Sequence, residues 1–392
     1  MKLVVLTSRI PYPLEKGDKL RVFHQLQFLA QYHEICLICL NDQPELPDLT
    51  ELEKITTELH IIPLSRWKIP FRILHALFTH LPFQVSYFYS NQAQKRIDQI
   101  IQDFKPNHIF CQLIRTSEYV KSNFSCAKSI DYMDAFSASA NRRLQTEKGL
   151  KKLFWKEETK RLGQYEFKIY DYFNAHFIIS EQDRKLLTLP PLKSATIISN
   201  GVDTNYFSKL SHIEKKYDLV FAGNMSYPPN VQAAVYLAKT LLPLVQQKIP
   251  TIKLCLAGAD PSDEVKQLAS ASITVTGWVE NMNEVYNEAL LFIAPMFMGA
   301  GLQNKLLEAM SCELPVVTTA LAANAFGMEL PQSVQVVSTS SEFVNAVTHF
   351  LENKDIQKQA GIENRNFITQ HFEWNSFNEK LNVCITSAKL SD

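Results

Sequence analysis

Apolar positions along the chain fall into two alternating rhythms. Lys2–Thr7 is a short unbroken apolar run, the profile of a parallel strand covered on both faces. From 19 to 31 the apolar residues recur at helical spacing (Leu20, Phe23, Leu26, Leu29), and 34–40 is again a continuous apolar strand. Strand, loop, helix and strand in that order make a βαβ unit. The same reading predicts helices at 70–81 and 92–104, strands at 108–113 and 127–132, a long charged helix over 146–173 and a strand at 177–180. The segment Thr188-Leu189-Pro190-Pro191-Leu192 is a natural break. Beyond it strands at 195–199, 218–222, 251–257, 274–276, 291–294 and 315–319 alternate with helices at 230–247, 263–270, 282–289 and Asn304–Ser311. A last helix, 373–388, has no strand after it. The pattern predicts an α/β protein of two Rossmann-like, doubly wound domains, 1–185 and 195–372.

Length and composition agree with this division and narrow the function. A chain of 392 residues is too long for one core, and its 20% charged and 46% hydrophobic residues suit a globular protein. Lysines plus arginines and aspartates plus glutamates both number 40, so a general nucleic-acid binder, which must neutralise phosphates, is disfavoured. The apolar start ends at Leu6, too early for a signal-peptide core, and no stretch is apolar enough to span a bilayer; the expectation is a cytoplasmic protein. Cys36 and Cys39 have a Cys-x-x-Cys spacing but sit inside an apolar strand with no second pair, and read as core thiols. No His-x-x-x-His and no Glu/His cluster marks a metal site. No Gly-x-Ser-x-Gly elbow marks a hydrolase, and the first βαβ unit lacks the Gly-x-Gly-x-x-Gly of dinucleotide oxidoreductases.

The segment richest in chemistry is Ala294-Pro295-Met296-Phe297-Met298-Gly299-Ala300-Gly301-Leu302-Gln303-Asn304-Lys305-Leu306-Leu307-Glu308. A strand ends, a Gly-x-Gly turn follows, and a helix starts at the end of an open sheet where ligands bind. Gly299 and Gly301 let backbone approach a ligand, and the helix start offers unpaired amides suited to a diphosphate. Lys305 adds a full charge, and Glu308, a turn further on, can accept two hydrogen bonds from a ribose diol. The plainer alternative is a simple turn with a solvated Glu308.

With its continuation Glu313-Leu314-Pro315-Val316-Val317, this segment resembles the donor-site signature of family 4 glycosyltransferases. Ile198-Ser199-Asn200-Gly201-Val202-Asp203-Thr204-Asn205-Tyr206-Phe207 resembles the family's interdomain signature. Thr276-Gly277-Trp278-Val279 with Tyr286 resembles its base-holding loop. Arg9-Ile10-Pro11-Tyr12-Pro13 with Gly17-Asp18-Lys19, and Gly223-Asn224-Met225-Ser226-Tyr227-Pro228-Pro229-Asn230, are similar to sugar transferases of exopolysaccharide/PEP-CTERM surface systems. The resemblance implies the GT-B architecture: two Rossmann-like domains facing across a cleft, the C-terminal helix (373–392) returning to the first domain. It also implies a UDP- or GDP-linked sugar as donor substrate, a glycan or lipid-linked acceptor, retention of anomeric configuration, no metal and no cofactor.

By the same resemblance Glu308 holds the ribose. Gly301, Leu302, Gln303 and Asn304 meet phosphates and sugar, and Trp278 and Val279 flank the base. Gly17 faces the donor, Asn200 and Gly223 belong to the donor site, and Asp131 stands where many members place a histidine near the reacting sugar. Read on its residues alone, Asp131 is equally a strand-end turn cap. Three positions depart from the pattern. A second glutamate is replaced by Ala300, and the arginine and lysine that grip the diphosphate by Asn224 and Asn230. Lys305 is then the candidate for neutralising the diphosphate, and Lys305, Glu308 and Asp131 form the expected catalytic set. A nucleotide-sugar epimerase and a non-catalytic subunit of the same fold are the alternatives. Between Asn141 and Arg161 eight Lys/Arg stand against three Glu. With Arg66, Trp67, Lys68, Phe71 and Arg72 this offers an anionic membrane a basic, aromatic surface, alternatively a solvated helix face, and extends the expected location to the inner face of the cytoplasmic membrane.

Overall fold

A computed structural model describes residues 1–121, 125–298 and 301–388. The chain forms two compact units, one of Met1–Ser199 with the chain from Phe377 onward, the other of Asn200–Ser376.

The first unit is built on a seven-stranded parallel sheet: β1 (Lys2–Thr7), β2 (Glu34–Asn41), β3 (Glu58–Pro63), β4 (His108–Gln112), β5 (Ala127–Asp131), β6 (Ala175–Ile178) and β7 (Thr196–Ile197). Their order is β3-β2-β1-β4-β5-β6-β7, so strand order reverses between β1 and β4. Neighbouring residues of β2 serve opposite faces: Cys36, Ile38 and Leu40 join one core cluster, Ile35, Leu37 and Cys39 the other. An odd separation on a strand therefore keeps the two thiols from sharing a ligand, and burial pushes both up to about 12. The parallel register of β2 with β3 does bring Cys36, Glu58 and His60 within 4.8 Å of one another, a proximity that linear spacing hid.

The second unit has a six-stranded parallel sheet: β8 (Tyr217–Ala222), β9 (Leu254–Ala257), β10 (Ile273–Gly277), β11 (Ala289–Ala294), β12 (Val316–Thr318) and β13 (Val334–Val336), in the order β10-β9-β8-β11-β12-β13. Its reversal lies between β8 and β11. In both sheets the reversal opens a crevice at the carboxyl ends of the strands.

Three details differ from the sequence reading. The strand expected to open the second domain is β7, paired with β6 in the first sheet, so the division falls after Ser199. The long helix expected over 146–173 is two, Phe136–Thr146 and Gly149–Ile169, broken where Lys148 is extended and Gly149 takes a left-handed φ of 59°. The helix expected over 230–247 starts at Pro228 and passes through a five-residue π-helical turn, Leu237–Leu241, just before Pro243, which lacks an amide hydrogen to donate. The last helix, Trp374–Ser387, buries Leu381 and Ile385 beside Leu26, Leu29 and Ile198 of the first unit. No helix among the described residues is long and apolar enough to cross a membrane.

Candidate functional site

The turns after β8 and β11 carry the second unit's concentration of unusual polar groups. The helix Asn304–Ser311 follows β11, and its first turn sends Lys305 inward. The Lys305 ammonium is buried; it donates to Asn230 Oδ1 at 2.6 Å and lies 4.5 Å from the centre of the Phe221 ring. Burial brings its pKa down to about 7, against the opposing pull of Glu308. Asn230, near the start of helix Pro228–Tyr236, is itself buried and donates to the carbonyl of Asn224 at 2.8 Å. The Asn224 side chain instead closes its own turn, accepting from Ser226 N at 2.9 Å and Ser226 Oγ at 2.6 Å.

Gly223 explains how this cluster fits. Its φ is 152°, and a Cβ there would lie 2.7 Å from Asn230 Nδ2 and 3.1 Å from Lys305 Nζ. The missing side chain is the space that the ammonium and amide occupy. Lys305 thus delivers a cation from the helix after β11 to the turn after β8, beside the two asparagines that replace the expected cations.

One turn along the helix, Glu308 is half-buried and accepts from the Tyr286 hydroxyl at 2.7 Å through Oε2. Its Oε1 meets no donor among the described residues. Burial raises its pKa, while the Tyr286 hydrogen bond and Lys305 work the other way. Tyr286 is wholly buried, so the carboxylate has a fixed direction. At the helix start, Gln303 does not cap the amides; its side chain turns back to the carbonyl of Gly301 at 3.1 Å, where φ is 87°. Leu302 is buried. Asn200 Nδ2 donates to Asn304 Oδ1 at 3.2 Å and so anchors the helix start. Gly299, with Ala300, lies outside the described residues. Trp278 is exposed, and Val279 lines a shallow pocket of about 610 Å³ with Tyr206, Asn281 and Glu284.

The first unit corrects the expectation for Asp131. Its carboxylate has no exposed surface. It accepts from Arg21 Nε at 2.6 Å, Gln25 Nε2 at 3.0 Å and the backbone N–H of Met133 at 3.0 Å. It joins β5 to the helix Gly17–Leu29 and caps its own turn, with both oxygens engaged inside the fold. Gly17 begins that helix rather than sitting in a loop, and is exposed. Asp134, at the same strand end, was missed. It is half-buried, its carboxylate takes no hydrogen bond among the described residues, and burial, with Asp183 beside it, pushes its pKa up to about 6.

Sequence reasoning also missed a pocket of about 800 Å³ past the ends of β1 and β2. Asn41, Asp42, Gln84, Tyr87, Arg115 and Trp155 line it. Tyr87 donates to Asp42 at 2.5 Å, and Arg115 donates to Gln84 at 3.0 Å. The polar run Asn41-Asp42-Gln43 directly after a buried strand was the available signal.

Comparison with known proteins agrees with these features. Residues 216–353 match the family model described as Glycosyl transferases group 1. An uncharacterized 44.6 kDa protein in the cps region of Klebsiella pneumoniae is 24% identical over 394 residues, spanning 95% of this chain and 96% of that protein. Sucrose-phosphate synthase from Thermosynechococcus elongatus superimposes with a TM-score of 0.69 at 14% identity, covering 98% of both chains. Anabaena HepE in complex with UDP and glucose gives 0.67 at 13% identity, covering 98% of this chain and 99% of that one. The resemblance to family 4 glycosyltransferases, and with it the GT-B fold, is borne out.

Proposed function

We propose that this chain is a retaining glycosyltransferase that moves a hexose-type sugar from a UDP- or GDP-linked donor to a glycan or lipid-linked acceptor during surface polysaccharide synthesis, without a metal or cofactor. The observation that carries the reading is the buried Lys305 ammonium, held by Asn230 at the β8/β11 reversal, with the Tyr286–Glu308 pair one helical turn away. A buried cation next to uncapped helix amides suits a diphosphate, and a directed carboxylate suits a ribose diol. The UDP held by HepE, which shares the fold, supports a uridine donor.

In this reading Lys305 and the helix amides stabilise the charge that develops as the bond from the anomeric carbon to the diphosphate breaks. The acceptor oxygen bonds to the same face of that carbon, and its proton passes to the departing diphosphate. No protein nucleophile is required. Glu308 fixes the nucleotide so that the reacting atoms stay aligned. The acceptor occupies the pocket of the first unit, whose amides, carboxylate and aromatic rings suit a sugar. Asp134, rather than Asp131, is the carboxylate available to a reacting hydroxyl. The enzyme works in the cytoplasm.

Calorimetry and thermal shift against UDP, GDP and ADP test the donor site. The expected result is stabilisation by one nucleotide, weakened at least tenfold in affinity by Lys305→Ala and by Glu308→Ala, and less by Asn230→Ala. Binding by none of the three, or equal loss in all three variants, rejects the assignment.

A further inference from the structure

The helix Ile69–Thr79 of the first unit is amphipathic the wrong way round for a protein in water. Its protein side is tied by polar bonds: Arg72 donates to the carbonyls of Tyr87 at 2.8 Å and Ser65 at 2.7 Å, and Arg161 donates to the carbonyl of Ala76 at 2.6 Å. Its solvent side is apolar. Phe78 is 78% exposed, Phe71 66%, Leu74 55% and Leu77 50%, and Trp67 just before it is 69% exposed. These residues recur at helical spacing, so they form one face rather than scattered singles.

The neighbouring helix Gly149–Ile169 continues the surface. Leu150 is 85% and Leu153 64% exposed, and Phe154 stacks on Phe83 at 4.8 Å. Its lysines supply the charge. Of the acids between Asn141 and Arg161, Glu147 pairs with Arg143 at 3.4 Å and Glu157 with Arg161 at 2.7 Å, and buried Glu158 accepts backbone amides of Phe83 and Gln84. Lys148, Lys151, Lys152 and Lys156 therefore form no ion pair among the described residues, and Lys160 lies near only Glu157, which Arg161 already holds. Ile69–Thr79 and the preceding Arg66–Lys68 contain no acid at all.

We propose that this face rests on an anionic lipid bilayer, with Trp67, Phe71, Leu74 and Phe78 entering the interface and the unpaired lysines meeting lipid phosphates. A second protein copy would need acids to meet these lysines, and the basic face offers none to itself. Exposed aromatics beside a basic helix face match the two attractions that hold a peripheral protein, apolar burial and surface potential. Ile73, Phe154 and Trp155 of the same two helices line the 800 Å³ pocket, so docking brings that pocket to the lipid surface. On the glycosyl-transfer reading, this selects a lipid-linked acceptor over a free glycan.

Co-sedimentation of the full chain with equimolar phosphatidylglycerol–phosphatidylcholine vesicles, against phosphatidylcholine alone, tests binding without donor or turnover, so its failure is separable from failure of the donor assignment. The expected result is binding to the anionic vesicles at low salt, reduced at least tenfold by Lys151→Glu with Lys152→Glu and Lys156→Glu, and by Phe71→Ser with Phe78→Ser. A blue shift of tryptophan emission on binding should disappear in Trp67→Phe. All these side chains are exposed, and an unchanged unfolding midpoint confirms that the variants fold. No binding to anionic vesicles at low salt overturns the proposal. So does equal binding to both vesicles, or a dimer in light scattering that the phenylalanine variant dissociates.

Discussion

Lys305 shows how one buried cation gives stability and binding opposite responses to pH. Its pKa falls from the ordinary 10.5 to about 7 in the folded protein, so below pH 7 folding carries the cost of burying a charge. As pH rises from about 7 toward 10.5 the folded form loses its proton before the unfolded form does, and the free protein gains stability from this group. A bound diphosphate favours the ammonium, so nucleotide affinity should fall over the same range. Lys305→Met should flatten both trends in paired thermal-unfolding and calorimetric titrations; parallel trends in the unmodified protein would contradict the assignment. Asp131 and Asp134 separate similarly. Asp131→Ala leaves Arg21 buried beside a lost partner and should cost about 3–5 kcal/mol in urea unfolding. Asp134→Asn should raise stability at neutral pH, because the folded protein no longer holds an ionised carboxylate that burial disfavours, and should lower turnover about a hundredfold, with loss of a pH–rate limb near 6. Lys305 was legible because strand, glycine turn and helix fix where the second helical residue lies. The direction of Asp131 was not legible, because its partners, Arg21 and Gln25, are more than a hundred residues away in sequence.

At the scale of elements, buried strands read most clearly. Lys2–Thr7 has the predicted bounds because its five inner residues are all covered. β3 went unread, since Glu-Leu-His-Ile-Ile-Pro at the sheet edge is half polar. The split in the charged helix was hidden for another reason. Gly149–Ile169 is held less by an apolar stripe than by carboxylates that serve other helices. Glu158 accepts the first amides of Phe83–Phe88 at 2.7 and 3.0 Å, and Glu166 accepts the amide and hydroxyl of Ser137, at the start of Phe136–Thr146, at 2.9 and 2.6 Å. Each is a cap supplied from a distance, and periodicity within one segment does not reveal it. Glu166→Ala should therefore cost about 2 kcal/mol, measured by denaturant midpoint, and Glu166→Gln less, since its amide oxygen still accepts.

For the whole molecule, alternation of strands and helices announced both sheets, and the reversal points located the ligand crevices. What alternation does not report is which sheet a late element serves. Leu381 and Ile385 are ordinary apolar residues in the sequence, yet they complete the core of the first unit. Leu381→Ala should remove about 2–5 kcal/mol from that unit, while the nucleotide-induced shift of the second unit persists. A loss of nucleotide binding equal to the loss of stability would show the two units to be energetically inseparable.

The return of the last helix also sets an order of events during synthesis. A ribosome delivers every strand of the first sheet by residue 197, but the apolar surface around Leu26, Leu29 and Ile198 waits for residues 377–388 to leave the exit tunnel. The second unit, continuous from Asn200 to Ser376, is complete in one pass. The part of the chain made first is thus the part that finishes folding last, and through most of translation it is the half that most needs a chaperone.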